Sequence, residues 1–81
     1  MVVRKMKAYI LIRTKPGTSE KVVAEIKRKV KGVLHADSVY GRFDAIVVIE
    51  APSLEELNEI VYKVVEKETN IIHTETSLTL F

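Results

Sequence analysis

The fold is decided by residues 40–49, which read YGRFDAIVVI. Gly41 separates two strand-like segments and predicts a hairpin with a two-residue type II′ turn, Gly41-Arg42, in which the glycine has positive φ. Asp44 follows near the start of a strand, Phe43–Glu50, that is apolar on both alternating faces. Such a strand needs burial on both sides. In so short a chain, this predicts that a second subunit completes the core.

The chain has 81 residues and no cysteine. A domain near this size buries only about 60% of the surface that its unfolded chain exposes. Small folds therefore rely on disulfides, metals or oligomerisation. The lack of cysteine excludes disulfides and thiolate metal sites, and two well-separated histidines are a poor basis for a zinc site. Oligomerisation remains, and we expect no metal and no cofactor.

The charge pattern excludes several classes of function. Thirteen basic and eleven acidic residues give a net charge of +2. Lysine, arginine and glutamate alternate along the predicted helices, as is typical of solvated faces, without the basic stripe and interleaved aromatic residues of a nucleic-acid-binding protein. No apolar run reaches the ~18 residues of a membrane span, and residues 1–5 lack the features of a signal peptide. We expect a cytoplasmic protein that binds neither membranes nor, by itself, DNA.

In the first half of the chain, a segment with the two-residue alternation of a strand is followed by a segment whose apolar residues have helical spacing. The first strand is predicted over Met6–Arg13, with Ala8, Ile10 and Ile12 on one face and Tyr9 and Leu11 on the other. A helix follows, capped by Thr18 or Ser19 and stopped by Gly32. Its inner positions have helical spacing: Val22, Val23, Ile26 and Val30.

The second half predicts a strand over Val33–Tyr40, the hairpin, and the strand Phe43–Glu50. A capping box formed by Ser53 and Glu56 starts the second helix. The inner stripe of that helix comprises Leu54, Leu57, Ile60, Val61, Val64 and Val65. The last strand is expected over Ile71–Leu80.

The order β-α-β-β-α-β predicts a single α+β domain over residues 1–81, with a ferredoxin-like fold. Its antiparallel sheet carries both helices on one face. The other face is left with four large apolar side chains, Tyr9, Leu11, Ile46 and Val48. Full burial of each is worth ~1.5–3 kcal/mol, so a second sheet packed face to face is the simplest cover. The sequence therefore predicts a homodimer formed through the sheet.

Two groups of polar residues are candidates for a binding site. Backbone amides near Gly41 and the Asp44 carboxylate could bind a charged ligand; alternatively, Gly41 only makes the turn, and Asp44 protects a sheet edge or pairs with Arg42. The hydroxyl-rich strand His73–Thr79 places Thr74 and Thr76 on one face and Ser77 on the other. These hydroxyls could bind a carboxylate or simply reflect the β-propensity of threonine. The residues alone leave both alternatives open.

Residues 38–61, SVYGRFDAIVVIEAPSLEELNEIV, and residues 71–81, IIHTETSLTLF, resemble the effector-binding (RAM) domain of AsnC/Lrp transcription regulators. The shared pattern is a glycine turn, an aspartate leading an apolar strand, a helix, and a final strand with T-x-T-S. The resemblance implies a ferredoxin-like fold that dimerises through its sheet. It also implies assembly into tetramers, octamers or decamers, with an amino acid or related metabolite bound between dimers.

By resemblance, the pocket is expected to be lined by two segments. The hairpin contributes Tyr40, Gly41, Arg42 and Asp44, and the last strand contributes Thr74, Thr76 and Ser77. Full-length regulators of the family carry an N-terminal helix-turn-helix that this sequence lacks. We therefore expect a stand-alone module that can pair with a full-length relative but does not bind operator DNA.

Three alternatives remain open. A small dimeric α+β-barrel enzyme would need an enclosed pocket with a titratable group, for which His35 and His73 are the candidates, although no nucleophile motif accompanies them. A structural adaptor would only hetero-oligomerise with a DNA-binding relative. An allosteric module of the ACT type would instead use a glycine in the first strand–helix loop, where Gly17 lies. We expect a non-enzymatic ligand-binding module with no catalytic residues.

Overall fold

The computed structural model describes residues 5–80, with the side chains of residues 65–67 outside that description. Six elements follow one another: β1 (Met6–Thr14), α1 (Ser19–Lys29), β2 (Val33–Ser38), β3 (Ala45–Ala51), α2 (Leu54–Lys67) and β4 (Ile71–Leu78). The predicted order and the ferredoxin-like α+β class are confirmed. Within residues 5–80, no helix is both long and apolar enough to cross a membrane.

The four strands form one antiparallel sheet in the order β2-β3-β1-β4. Its central pair, β1 and β3, sets Tyr9 opposite Val48 and Leu11 opposite Ile46. These four side chains therefore share one face, as the alternation predicts. Neither helix covers this face, which we call the open face.

The core lies on the other face, between the sheet and the two helices. Ile10, Ile12, Val47 and Ile49 are inaccessible to solvent there. Helix α1 packs mainly on β2, and α2 packs on β1 and β3. The predicted inner positions of α1 are all buried: Val22, Val23, Ile26 and Val30.

The start and end of α1 differ from the prediction. Thr18 occupies the N-cap position, but its hydroxyl donates to the Lys15 carbonyl (2.6 Å) and does not cap the helix. Ser19 is the first helical residue and shares a hydrogen bond with Ser38. The last helical residue is Lys29, and the C-cap residue Val30 is already extended. The helix thus ends before Gly32, which is not its stop signal.

Gly32 has a different structural role. Its φ is +89°, and a Cβ atom there would lie 2.7 Å from Ile60 Cδ1 and 3.1 Å from the Glu50 carbonyl oxygen. The glycine therefore lets the α1–β2 connection approach α2 and the end of β3 closely. It adopts a left-handed conformation that other residues rarely tolerate.

Helix α2 begins as predicted at its cap, because the Ser53 hydroxyl accepts a hydrogen bond from the Glu56 amide (3.2 Å). In the described part of the chain, the Glu56 side chain makes no return bond to Ser53, so the capping box is only half formed. Of the predicted inner stripe, Leu57 and Val64 are buried and Ile60 and Val61 are partly buried. Leu54 is about half exposed, and the Val65 side chain lies outside the described set.

Candidate ligand-binding site

The hairpin between β2 and β3 is longer than the sequence predicts. The last paired residues are Ser38 and Ala45, and the Val39 amide donates to the Asp44 carbonyl (2.9 Å). Residues 40–43 thus form a four-residue turn, and β2 and β3 do not extend to Tyr40 and Phe43. Gly41 does not have positive φ, so the predicted type II′ turn is wrong.

Gly41 has no evident structural reason to be glycine. Its backbone does not require a left-handed conformation, and a Cβ atom there would meet nothing within 4 Å. Both neighbours in the turn, Tyr40 and Arg42, are exposed. The turn therefore presents an accessible backbone to solvent.

Asp44 connects the hairpin to the end of β1. Its amide donates to the Ile12 carbonyl (2.8 Å), and its carboxylate oxygen Oδ2 accepts from the Thr14 amide (2.8 Å). Thr14 is 6% exposed, so its amide has little access to water. Among the described residues, Asp44 forms no ion pair with Arg42. Its side chain is therefore a structural tie whose second oxygen, Oδ1, has no hydrogen-bond partner in this part of the chain.

The three hydroxyls of β4 lie on opposite faces of the sheet. Thr74 pairs with Ile12 and Thr76 with Ile10, so both point to the helix side, whereas Ser77 pairs with Tyr9 on the open face. None of the three hydroxyls makes a hydrogen bond with another group that the structure describes. Threonines present only for their β-propensity would show the same absence of hydrogen bonds. The hydroxyls are nevertheless available to bind a ligand.

In the described part of one subunit, β1 lies between the hairpin and β4. Asp44 and Thr74 flank Ile12 on its two sides, with β1 between them. Strands are spaced by about 4.8 Å, so the two backbones are roughly 10 Å apart. Thr74 and Thr76 point to the helix side and Ser77 to the open face, so the predicted residues do not converge on one pocket among the described residues of a subunit.

The candidate catalytic histidines are both at the surface. His35 borders an open cleft beside β2. His73 is more than half exposed on the open face, with its Nε2 atom 3.7 Å from Glu75 Oε2. Among the described side chains, which exclude those of residues 65–67, no three acidic or histidine groups are placed to hold a metal ion. These positions give no support to the enclosed site that the enzyme alternative needs.

A broad cleft lies away from all the predicted residues. It has a volume of about 600 Å³ and runs between the end of α1, the helix α2 and the end of β3. Two features of the sequence correspond to this cleft: the basic end of α1 and the acidic start of α2. Each was interpretable only as a solvated helix end, because the sequence does not show that the two ends adjoin.

Comparisons with known proteins agree with this fold. The family model described as the Lrp/AsnC ligand binding domain matches residues 7–80. No curated protein matches the chain. Among solved structures, hypothetical protein PHS023 from Pyrococcus horikoshii is 28% identical, with a TM-score of 0.84; the match covers 94% of this chain and 90% of that one.

Two more distant structures share the fold. AsnC from E. coli is 18% identical with a TM-score of 0.82, and the match covers 94% of this chain but 51% of AsnC. The regulator NMB0573 from Neisseria meningitidis, solved as a complex with L-Met, is 16% identical with a TM-score of 0.76. That match covers 94% of this chain and 50% of the regulator. This chain thus corresponds to about half of each regulator.

Proposed function

Because the chain belongs to the Lrp/AsnC ligand binding domain family, we propose that it is an effector module that binds a free amino acid and changes its assembly in response. Its output would be a change in transcription or metabolism. The L-Met complex of NMB0573 supports amino acids as the ligand class. The surface positions of both histidines give no reason to prefer the enzyme alternative.

The observation that carries the ligand proposal is a set of polar groups at the expected positions to which the described residues offer no hydrogen-bond partner. The Thr74, Thr76 and Ser77 hydroxyls form no hydrogen bond with those residues, and a Cβ atom at Gly41 would meet nothing within 4 Å. In the proposed site, the free oxygen of Asp44 binds the ammonium of the ligand. The amides near Gly41 and the Thr76 or Ser77 hydroxyl bind its carboxylate, and Tyr40 and Arg42 border the site.

The placement of these groups supports a site that is shared between subunits. β1 separates Asp44 from Thr74, and Thr74 and Thr76 lie on the opposite sheet face from Ser77. A neighbouring copy could supply the missing half. Ligand binding then stabilises the assembly only by as much as the ligand prefers the assembled state.

The open face supports the proposed homodimer. Tyr9 is 37% exposed, and Leu11, Ile46 and Val48 are each partly exposed. The four form a contiguous apolar patch at the centre of the sheet, because they pair with one another across β1 and β3. A second open face packed on this patch would remove it from water, which favours association. Further assembly into tetramers, octamers or decamers, or with a full-length regulator, would build on this dimer.

Native mass spectrometry of the whole chain, with and without a mixture of the twenty amino acids, tests both parts. We expect an even-numbered assembly that takes up one discrete mass. Uptake of none of the twenty would contradict the ligand proposal, and a monomer would contradict the dimer.

A Thr76→Val variant tests the location of the site. Losing one neutral hydrogen bond should weaken ligand binding roughly two- to tenfold. Thr69→Val, in the exposed turn before β4, is the matched control and should bind as the parent does. Equal affinities for the two variants would remove Thr76 from the site.

A further inference from the structure

A second cleft, which we call the β2 cleft, lies between the end of α1 and the first half of β2. Its volume is about 410 Å³, within the range of roughly 300–1,000 Å³ that is common for small-molecule sites. Its lining includes three apolar and three basic side chains: Val30, Leu34 and Ala36, and Lys27, Lys31 and His35. The β2 cleft therefore combines apolar surface with positive charge.

The charge of the β2 cleft has one sign. Among its described lining residues there is no aspartate or glutamate. The broad cleft beside α2 is different, because three glutamates, Glu50, Glu56 and Glu59, line it together with lysines. Of the two clefts, only the β2 cleft is suited by charge to an anion.

The cations at the end of α1 divide into two groups. Arg28 and Lys29 bind Glu25 on their own helix, at 2.8 Å each, and these hydrogen bonds lower the pKa of the Glu25 carboxyl. Cations in the last turn also interact favourably with the helix dipole, and this pair already supplies that interaction. By contrast, no described carboxylate lies within 4 Å of the amino group of Lys27 or Lys31. These two lysines can therefore pair with an anion from another molecule.

The apolar part of the β2 cleft has a buried bottom and one accessible side chain. Val30 is 8% exposed and Ala36 is 1% exposed, whereas Leu34 is 47% exposed. A ligand with an apolar body would cover Leu34, and the removal of that surface from water favours binding. The His35 imidazole adds an N–H donor, since at least one ring nitrogen carries a proton in either protonation state.

We propose that the β2 cleft binds a small organic anion, one that carries a carboxylate or phosphate group on an apolar body. The anionic group pairs with Lys27 and Lys31, and the apolar body lies on Leu34. Charge-assisted hydrogen bonds of this kind are stronger than neutral ones.

This site is separate from the one proposed for an amino acid. The cleft lies at the start of β2, whereas the hairpin begins beyond Ser38, roughly 17 Å along the strand from Val33. The two lysines would also repel the ammonium group of a free amino acid. The β2 cleft would thus give the module a second class of ligand.

A titration with phenyl phosphate, followed by amide NMR of the deuterated whole chain, tests the proposal. Phenyl phosphate has both features of the proposed ligand, whereas inorganic phosphate and phenol each have one. We expect phenyl phosphate to bind more tightly than either and to shift the amide signals of residues 30–36. The absence of shifts, or shifts spread over all exposed lysines, would overturn the site. Equal affinity for inorganic phosphate would overturn the apolar part of the proposal.

Two variants separate the roles of charge and apolar contact. Lys27→Gln with Lys31→Gln should weaken binding of phenyl phosphate roughly three- to tenfold, the size expected for the loss of two exposed ion pairs. Leu34→Ala should weaken binding of phenyl phosphate roughly two- to fivefold and leave inorganic phosphate unaffected. The same spectra show whether each variant is folded.

The matched control is Lys15→Gln with Lys21→Gln, which removes the same net charge from exposed positions outside the cleft. It should bind phenyl phosphate as the parent does. If the control loses as much affinity as the cleft variant, binding follows net charge and the proposed site is wrong. A folded Leu34→Ala protein that binds phenyl phosphate as tightly as the parent would remove the apolar contact from the proposal.

Discussion

The two faces of the sheet are built from the same two strands but have different exposure. On the helix side, Ile10 and Val47 oppose each other and are inaccessible to solvent. On the open face, one residue along, Leu11 and Ile46 oppose each other and are partly exposed. The side chains are similar in size and hydrophobicity, so the difference arises from what covers them. The helix side stabilises the subunit, whereas the open face can contribute fully only when another surface covers it.

The largest expected effect is on the helix side. Ile10→Ala removes buried side-chain atoms from the middle of β1 and leaves a cavity, which should lower the free energy of unfolding by about 2–5 kcal/mol. Leu11→Ala, its neighbour on the open face, is the matched comparison and should cost the isolated subunit much less. Urea denaturation at several protein concentrations separates loss of subunit stability from loss of association. Equal costs at low concentration would mean that the two faces do not differ in the isolated subunit.

The second prediction concerns association. Ile46→Asp places a carboxylate at the centre of the open-face patch, where a dimer would bury it without a partner. Burying an unpaired charge is strongly unfavourable, so we expect loss of the dimer while the helical and strand content stays intact. Leu34→Asp is the control, since Leu34 is about half exposed on the edge strand β2. Sedimentation should show a monomer for the first variant only, and a dimer for both would place the interface elsewhere.

How far the sequence predicts this molecule also differs between regions. The two faces of β1 and β3 follow from alternation, because the side-chain period of a strand is two whatever the partner strand is. The predicted hairpin loop is too short. Gly41-Arg42 matches the sequence of a two-residue turn, but the last residues that pair across the two strands are Ser38 and Ala45. A single glycine does not encode which residues close a loop. The tie from Asp44 to the Thr14 amide joins residues 30 positions apart, so only the folded sheet reveals it.

The candidate site was predicted as a list of residues and not as a geometry. T-x-T-S marks Thr74, Thr76 and Ser77, and alternation already separates them onto two faces. What the sequence could not give is the strand order, which places β1 between Asp44 and Thr74. That order separates the two predicted halves of the site within one subunit.

The third prediction concerns whether the Asp44 side chain stabilises the fold, binds the ligand, or does both. Asp44→Ala leaves the nearly buried Thr14 amide without its acceptor and should cost about 1–3 kcal/mol of stability. Asp44→Asn keeps an oxygen that can accept the same bond, so it should be nearly as stable as the parent. If Asp44 also binds the ligand ammonium, Asp44→Asn should still lose affinity for the amino acid. Unchanged affinity in a stable Asp44→Asn protein would confine Asp44 to its structural role.

The smallest effect is expected from substituting Gly41 in the hairpin turn, in contrast to Gly32, the glycine that precedes β2. Gly32→Ala forces an alanine into positive φ and against Ile60, which should cost about 1–2 kcal/mol from the backbone conformation alone. Gly41→Ala meets neither constraint and should leave thermal unfolding unchanged. A new methyl group at Gly41 would nevertheless stand over the amides proposed to bind the ligand carboxylate, so amino-acid binding should weaken. If Gly41→Ala lowers neither stability nor affinity, the turn is only a connection between β2 and β3, and the site must lie along β4.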